Sequence, residues 1–244
     1  WAQECVARLE ELRGEINDLN VFPIPDSDTG SNMLFTMRSA ADVVTALPVD
    51  ADVVAVTRAM AEGAVANARG NSGVIMSQIL VGLADAVEIG APDGQLTFSQ
   101  LAVSGLRLGS LAAQRAVSDP REGTVLTLLT IAAESAARHS GETAADQARA
   151  IADDVADGLE RTPEQLPELA SAGVVDAGGR GFLAMLDAMV GVLTGVTQRR
   201  RRYRGILTGG GQPGHPVDET CDGPGDMDFE VMYLLTGAAG ESIA

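Results

Sequence analysis

Two carboxylates two residues apart, Asp26 and Asp28, are the side chains in this sequence best suited to chemistry. They sit in Pro23-Ile24-Pro25-Asp26-Ser27-Asp28-Thr29-Gly30, where the prolines reduce the entropy lost in holding like charges together. Such a pair calls for a compensating cation, and hard oxygen ligands suit Mg²⁺ or Ca²⁺. Gly30, Ser31 and Asn32 then open a helix, and the N–H groups of a helix start form a ready phosphate site. Acid ligands beside a phosphate cradle make sense with a bridging metal, so Mg²⁺ with a nucleotide fits better than Ca²⁺. The plain alternative is an acidic turn that caps a helix. Asn20, a little earlier, is a further oxygen ligand or a simple turn residue.

The same residue types recur further on. Gly70-Asn71-Ser72-Gly73 lets a backbone approach closely and offers the Ser72 hydroxyl and N–H to phosphate. Its plainer reading is a break between two helices with Ser72 as an N-cap. Arg69 screens phosphate charge or forms an exposed salt bridge. Gly173-Val174-Val175-Asp176-Ala177-Gly178-Gly179-Arg180-Gly181 is too glycine-dense for a simple connector. It is either a loop that closes over a nucleotide or a tight turn capping the last helix. Arg121-Glu122-Gly123-Thr124 is the weakest of the set, with Thr124 read first as an N-cap.

What is missing narrows the mechanism. All 17 basic residues are arginine. A Walker-type lysine, a Schiff-base lysine and a kinase β3 lysine are therefore excluded. The histidines are His139, which ends a helical stretch, and His215, in a Gly/Pro-rich tail, so a histidine triad has little support. Carboxylates, amides, hydroxyls and arginines are left, with a metal. A net charge of −17 argues against a broad basic surface for nucleic acid. Cys5 and Cys221 lack companion ligand spacing and suit free thiols in a reducing, cytoplasmic setting. No apolar run approaches the ~20 residues that span a bilayer, so an integral membrane protein is not expected.

Helices must carry these loops, because the apolar load falls on Ala, Leu, Val and Met while aromatics are only 3% of the chain. Apolar periodicity predicts helices over 2–18, 31–47 and 53–68, then through Ile75, Ile79, Leu83 and Val87, then over about 98–117, 124–139 and 143–161. A short Pro-bounded segment covers 163–171, and a last helix holds Phe182, Leu186, Met189 and Leu193 in phase. Asp50 or Asp52 can cap the third helix, and Thr97 with Gln100 makes a capping box. Short connections make neighbours antiparallel, so the alternate loops 26–32, 70–73, 119–124 and 173–181 should share one rim. Nothing through residue 195 reads as a strand. Beyond it, Arg199-Arg200-Arg201-Arg202-Tyr203-Arg204 touches an acidic partner or lipid head groups, or is the solvated flank of a linker. Residues 205–228 read as that linker, and Phe229 to Leu235 as a β-strand.

Together the four loops resemble a known family. Asn20-Val21-Phe22-Pro23-Ile24-Pro25-Asp26-Ser27-Asp28-Thr29-Gly30-Ser31-Asn32-Met33 resembles the N-V-[YF]-P-V-P-D-G-D-T-G-x-N-M signature of the ATP-binding component of bacterial fatty acid kinase, whose N-terminal domain is of the DhaL type found in dihydroxyacetone kinases. Ala68 to Gln78, Glu122 to Thr127 and Gly173 to Gly181 are similar to the family's other three loops, in the same order. The resemblance covers residues 1–197. It implies an all-α domain, a closed barrel of eight antiparallel amphipathic helices, with ATP and Mg²⁺ at one rim. It makes Asp26 and Asp28 metal ligands, with Asn20 a further one. It places Thr29, Gly30, Ser31, Asn32, Met33, Asn71, Ser72 and Gly73 around the phosphates. Gly123, Thr124, Asp176, Gly178, Gly179 and Arg180 would lie near the nucleoside or close over it. Ser27 departs from the usual glycine. The implied reaction is phosphoryl transfer to a fatty acid carboxylate presented by a separate fatty-acid-binding protein. A homodimer is compatible with it, and a dihydroxyacetone-type kinase or a non-catalytic nucleotide-binding module are the alternatives. Residues 198–228 would then be a linker, and 229–244 the start of a middle domain.

Overall fold

The structure, a computed structural model, describes residues 1–90 and 96–203. These residues form helices and no strand. The helices are α1 (Ala2–Asp18), α2 (Thr29–Thr45), α3 (Val53–Ala66), α4 (Gly70–Gly90), α5 (Phe98–Ala116), α6 (Val125–Arg138), α7 (Ala144–Glu160), α8 (Thr162–Gln165), α9 (Pro167–Ala172) and α10 (Ala177–Thr194). The eight long ones match the periodic segments, and α8 and α9 divide the Pro-bounded segment. The linker 205–228, the strand expected over 229–235, His215, Cys221 and most of the turn after Gly90 lie outside the described residues.

Local chemistry sets the boundaries. α1 buries Cys5, Leu9, Leu12 and Ile16 along one stripe. Asp52 caps α3 by accepting from the Ala55 N–H at 2.7 Å, and Thr97 with Gln100 makes the expected capping box on α5. Gly173 and Gly195 end α9 and α10 in the left-handed conformation that suits glycine. Each long helix packs on the next in the chain; α10 packs on α7 and returns to α1. Leu9, Met37, Leu80, Leu128, Leu159 and Leu183 are among the fully buried side chains of the shared core.

Three expectations need correction. The Gly70–Gly73 stretch is not a break before a helix but the first turn of α4. Gly178 to Gly181 likewise belong to α10 rather than to a flexible loop. These glycines serve close packing: a Cβ on Gly73 would meet Thr36 Oγ1 at 2.6 Å, and one on Gly179 would meet Leu128 Cδ1 at 2.4 Å. The third concerns α4, which has the length and apolar composition to cross a membrane, against the expectation of no such run. It is a core helix in this fold, with 56% of its apolar window buried, and it packs chiefly on α3 and α5.

Within the basic cluster Arg199, Arg201 and Arg202 are exposed, as a solvated flank would be, and Arg200 differs. Arg200 is half-buried and its guanidinium pairs with Asp187 and Asp153. Burial pushes the Asp187 carboxyl up, against the hydrogen bonds and charge of Arg200, which hold it down. Residues of the expected linker thus pack on the helical unit through these pairs.

Candidate functional site

The starts of α2, α4, α6 and α10 meet around one pocket of about 350 Å³, a size typical of small-ligand sites. Each of the four expected loops contributes to its wall. Of the residues singled out from the sequence, Asn20, Asp26, Asp28, Thr29, Asn32, Asn71, Ser72, Thr124, Asp176 and Gly178 line it. Gly30, Ser31, Met33, Gly73, Gly123, Gly179 and Arg180 do not.

The reasons for those misses are structural. Met33 is in the core, 3% exposed, against Gly181. Arg180 is 2% exposed, and its Nε donates to Glu15 Oε1 at 2.8 Å. It forms a buried ion pair between α1 and α10, away from the pocket wall. Gly30 lies against α1, where a Cβ would meet Arg13 O at 2.6 Å. Gly123 is left-handed (φ 78°) and wedged against Thr162 and Leu166. Arg69 forms no salt bridge among the described residues; its guanidinium stacks 3.5 Å from the Phe35 ring centroid.

The start of α2 carries the acid pair. Asp28 is its N-cap residue and Ser27 precedes it in the left-handed region at φ 55°. That conformation is the one that favours glycine, which explains why the related signature carries Gly there. The Asp28 carboxyl is pushed up by burial and by the neighbouring Asp26, while a hydrogen bond from Asn32 opposes the shift. The first amides of α2 are already taken. Gly30 N–H and Ser31 N–H donate to Asn17 Oδ1 at 2.8 and 3.2 Å, and Thr29 N–H donates to Asn20 Oδ1 at 3.2 Å. The Thr29 hydroxyl also bonds Asn20 Oδ1, and Asn20 Nδ2 donates to Ile24 O at 2.5 Å. Asn20 is therefore spent as a brace of the loop. Expected as a metal ligand, it is bonded in this structure to Thr29 and Ile24, on either side of the carboxylates. The phosphate cradle expected at α2 is filled by asparagine side chains.

The start of α4 is arranged differently. Its hydrogen-bond ladder begins at Gly73 N–H, which reaches Arg69 O at 3.0 Å. The amides of Gly70 and Ser72 fall before that point, and both residues line the pocket. Gly70 is left-handed (φ 58°), and a Cβ there would meet Asn32 Nδ2 at 2.5 Å. The two helix starts thus touch through Asn32, whose amide also holds Asp28.

The far wall is closed by α6 and α10. Thr124 caps α6, its hydroxyl donating to Arg121 O at 2.8 Å and accepting from Leu126 N–H. Asp176 caps α10, accepting from Gly179 N–H at 2.6 Å, and also takes the Val125 N–H. Burial pushes its carboxyl up to about 6 against those two hydrogen bonds. Sequence reasoning missed Phe22, Ile24, Val117 and Leu126 as lining residues. Leu126 and Val117 look like ordinary helix-end apolar residues, so periodicity hides them.

Charge decides what the pocket can hold. Asp26, Asp28, Asp119 and Asp176 line it, while Arg121 is the one cation among the described lining residues and already faces Asp119 at 3.6 Å. Such a cavity repels a polyphosphate and attracts a cation. Among the described residues no three His, Cys, Asp or Glu side chains form a closed metal cage. The acid pair alone leaves most of a metal's shell to water and ligand oxygens, which is the usual way of holding Mg²⁺.

Comparison with known proteins agrees with this geometry. A family profile described as the DAK2 domain matches residues 23–191. The protein YloV of Bacillus subtilis is 38% identical over 192 residues, 78% of this chain and 34% of the relative. An uncharacterised protein of Staphylococcus haemolyticus is 35% identical over the same length. The chain thus spans about a third of the curated relatives it matches. A crystal structure of the dihydroxyacetone kinase from C. freundii, in complex with AMP-PNP and Mg²⁺, shares the fold with a TM-score of 0.59 at 21% identity, covering 78% of this chain and 33% of that one. The match covers most of the helical unit and all four pocket loops, and the chain belongs to the DAK2 domain family.

Proposed function

We propose that this domain binds ATP with Mg²⁺ and passes the γ-phosphoryl group to a fatty acid carboxylate presented by a separate acyl-binding protein. The observation that carries the reading is the pocket itself, with an acid pair at one helix start facing the early amides of another. Asp26 and Asp28 would hold the metal, and the Gly70–Ser72 turn would take phosphate oxygens. When bound, Mg²⁺ neutralises phosphate charge and orients the chain of phosphates. The C. freundii relative, solved with AMP-PNP and Mg²⁺, supports this pairing of ligands.

The residues of this chain also bear on the acceptor. Transfer breaks the bond between the γ-phosphorus and the leaving ADP oxygen and forms one to the acceptor oxygen. A hydroxyl acceptor must also lose a proton, whereas a fatty acid is already a carboxylate at neutral pH and yields an acyl phosphate without a base. Among the described residues the pocket is lined by no histidine, lysine or cysteine. The Asn20 to Pro25 form of the first loop favours the same choice. The name of the C. freundii enzyme favours the second reading, a dihydroxyacetone acceptor.

The test is radiolabelled phosphoryl transfer by the full-length protein, offered either fatty acid on a purified acyl-binding protein or free dihydroxyacetone. Labelled acyl phosphate with the first acceptor is expected. Label on dihydroxyacetone would establish the second reading, and tight Mg-nucleotide binding without transfer to either would make this a nucleotide-binding module.

A further inference from the structure

After Gly195 the chain turns back along the helical unit, and its contacts advance in strict register. Gln198 O accepts from Arg8 Nη2 at 3.0 Å. Arg200 follows, with Nε and Nη2 on Asp187 at 3.1 and 3.0 Å and Nη1 on Asp153 at 2.7 Å. Arg201 pairs with Glu160, and Tyr203 Oη donates to the same carboxylate at 2.6 Å. Tyr203 N–H reaches Glu15 Oε1 at 3.3 Å, and its ring lies 5.7 Å from the Arg180 guanidinium. Partners on α1 run from Arg8 to Glu15, on α7 from Asp153 to Glu160, and on α10 backwards from Asp187 to Arg180.

All three progressions lead to the pocket end. Arg180 is about one turn from Asp176, a lining residue. Glu160 adjoins Thr162, whose hydroxyl accepts from Asp176 N–H at 3.1 Å. Glu15 adjoins Asn17, which seals the start of α2. Lengths agree as well. The 18 residues of α10 span about 27 Å, and residues 196–203, extended, span about 26 Å.

Specificity resides in two acids buried in the helical unit. The Asp187 side chain is 1% exposed and that of Glu15 is 7% exposed. A carboxylate so placed is costly unless paired, and the guanidinium of Arg200 bridges Asp187 and Asp153 at once. A lysine could not reproduce that fork.

We propose that residues 196–203 are a return strap, clipped to α1, α7 and α10, whose function is to fix the exit of the chain at the rim of the pocket. Tyr203 is thereby held beside the pocket rather than at the far end of α10. The geometry stands without the nucleotide reading; only the purpose of the tether, work at a phosphoryl-donor site, rests on it.

The test uses this chain with Cys221→Ser, Cys5 being buried, and spin labels on Arg202→Cys paired with either Glu122→Cys at the pocket rim or Val192→Cys near the end of α10. A narrow distance to position 122, shorter than that to 192, is expected. Adding Asp153→Asn and Asp187→Asn should broaden it and speed tryptic cleavage after Arg200 at least tenfold, while the helical unit melts as before. Broad distributions in the parent, no closer to 122 than to 192, overturn the strap. So does a cleavage rate that the two substitutions leave unchanged. Neither readout involves nucleotide, so failure here leaves the proposed function standing.

Discussion

The starts of α2 and α4 face each other across the pocket, and the sequence makes them look alike. Both carry Gly, Ser and Asn at the first turn. At α2 three amides are sealed by Asn17 and Asn20, whereas at α4 the amides of Gly70 and Ser72 precede the ladder and border the pocket. A helix start therefore attracts anions only where side chains leave its N–H groups unspent. The sealed start has a different use. It fixes Asp28 as the N-cap, so under the proposed function α2 would present the cation side of the site and α4 the anion side.

The largest effect should come from removing the cation side. Asp28→Ala leaves Asp26 as the lone ligand of the pair and removes the carboxylate that the Asn32 amide holds at the start of α2. Mg²⁺-dependent nucleotide affinity, measured by calorimetry, should fall roughly a hundredfold or more, about 2.7 kcal/mol. Stability should hardly drop, because the wild type bears two crowded carboxyls there. Unchanged affinity would remove the acid pair from the metal site and leave the comparison without its first half.

A third helix start gives the next largest effect. Asp176 caps α10 with a carboxyl raised to about 6 by burial. Its protonated form is the one the fold prefers. The stability it contributes is full below the ordinary carboxyl value of 3.8 and is lost as pH rises to about 6. Asp176→Asn keeps an acceptor for Gly179 N–H but cannot ionise. Relative to wild type, this variant should gain about 2.4 kcal/mol between pH 4 and pH 7, read by urea denaturation at each pH. Parallel curves for the two proteins would show that the carboxyl is solvated and that α10 is not sealed in the way α2 is.

Asn17 tests the seal directly. It lies within α1, and no motif marks it, yet it holds two amides of α2. Asn17→Ala should cost about 1–2 kcal/mol of stability, the usual loss for a removed cap. Nucleotide affinity should change less than tenfold, since those amides are not the phosphate donors. A loss as large as that of Asp28→Ala would mean that α2 and α4 do the same work.

Asn17 also shows where reading the sequence stops. The helices are legible because their cores repeat every three or four residues, as in Cys5, Leu9, Leu12 and Ile16. Caps such as Thr97, Asp52 and Thr124 are legible because the acceptor stands within three residues of its donor. The convergence of the four loops follows from helix parity. Partners far apart in the chain leave no such trace. Arg180 pairs with Glu15, and Arg200 with Asp187 and Asp153, so both clusters look like loop or surface charge in the sequence. Glycines mislead for the opposite reason. Gly73 and Gly179 have the look of chain breakers, but they remove a Cβ where another helix stands too close.

The smallest effect concerns the residue between the two carboxylates. Ser27 holds a left-handed backbone (φ 55°), which costs a non-glycine residue about 1 kcal/mol. Ser27→Gly removes that strain but widens the unfolded ensemble, which returns part of the gain. The net should be a stabilisation of about 0.5 kcal/mol, visible as a small rise in the denaturation midpoint at constant slope. Mg²⁺-nucleotide affinity should stay within threefold, because the carboxylates are positioned by the Asn20 brace and the α2 cap rather than by the serine side chain. A marked loss of affinity would show that serine rigidity, and not the asparagine seal, is what holds the acid pair against α4.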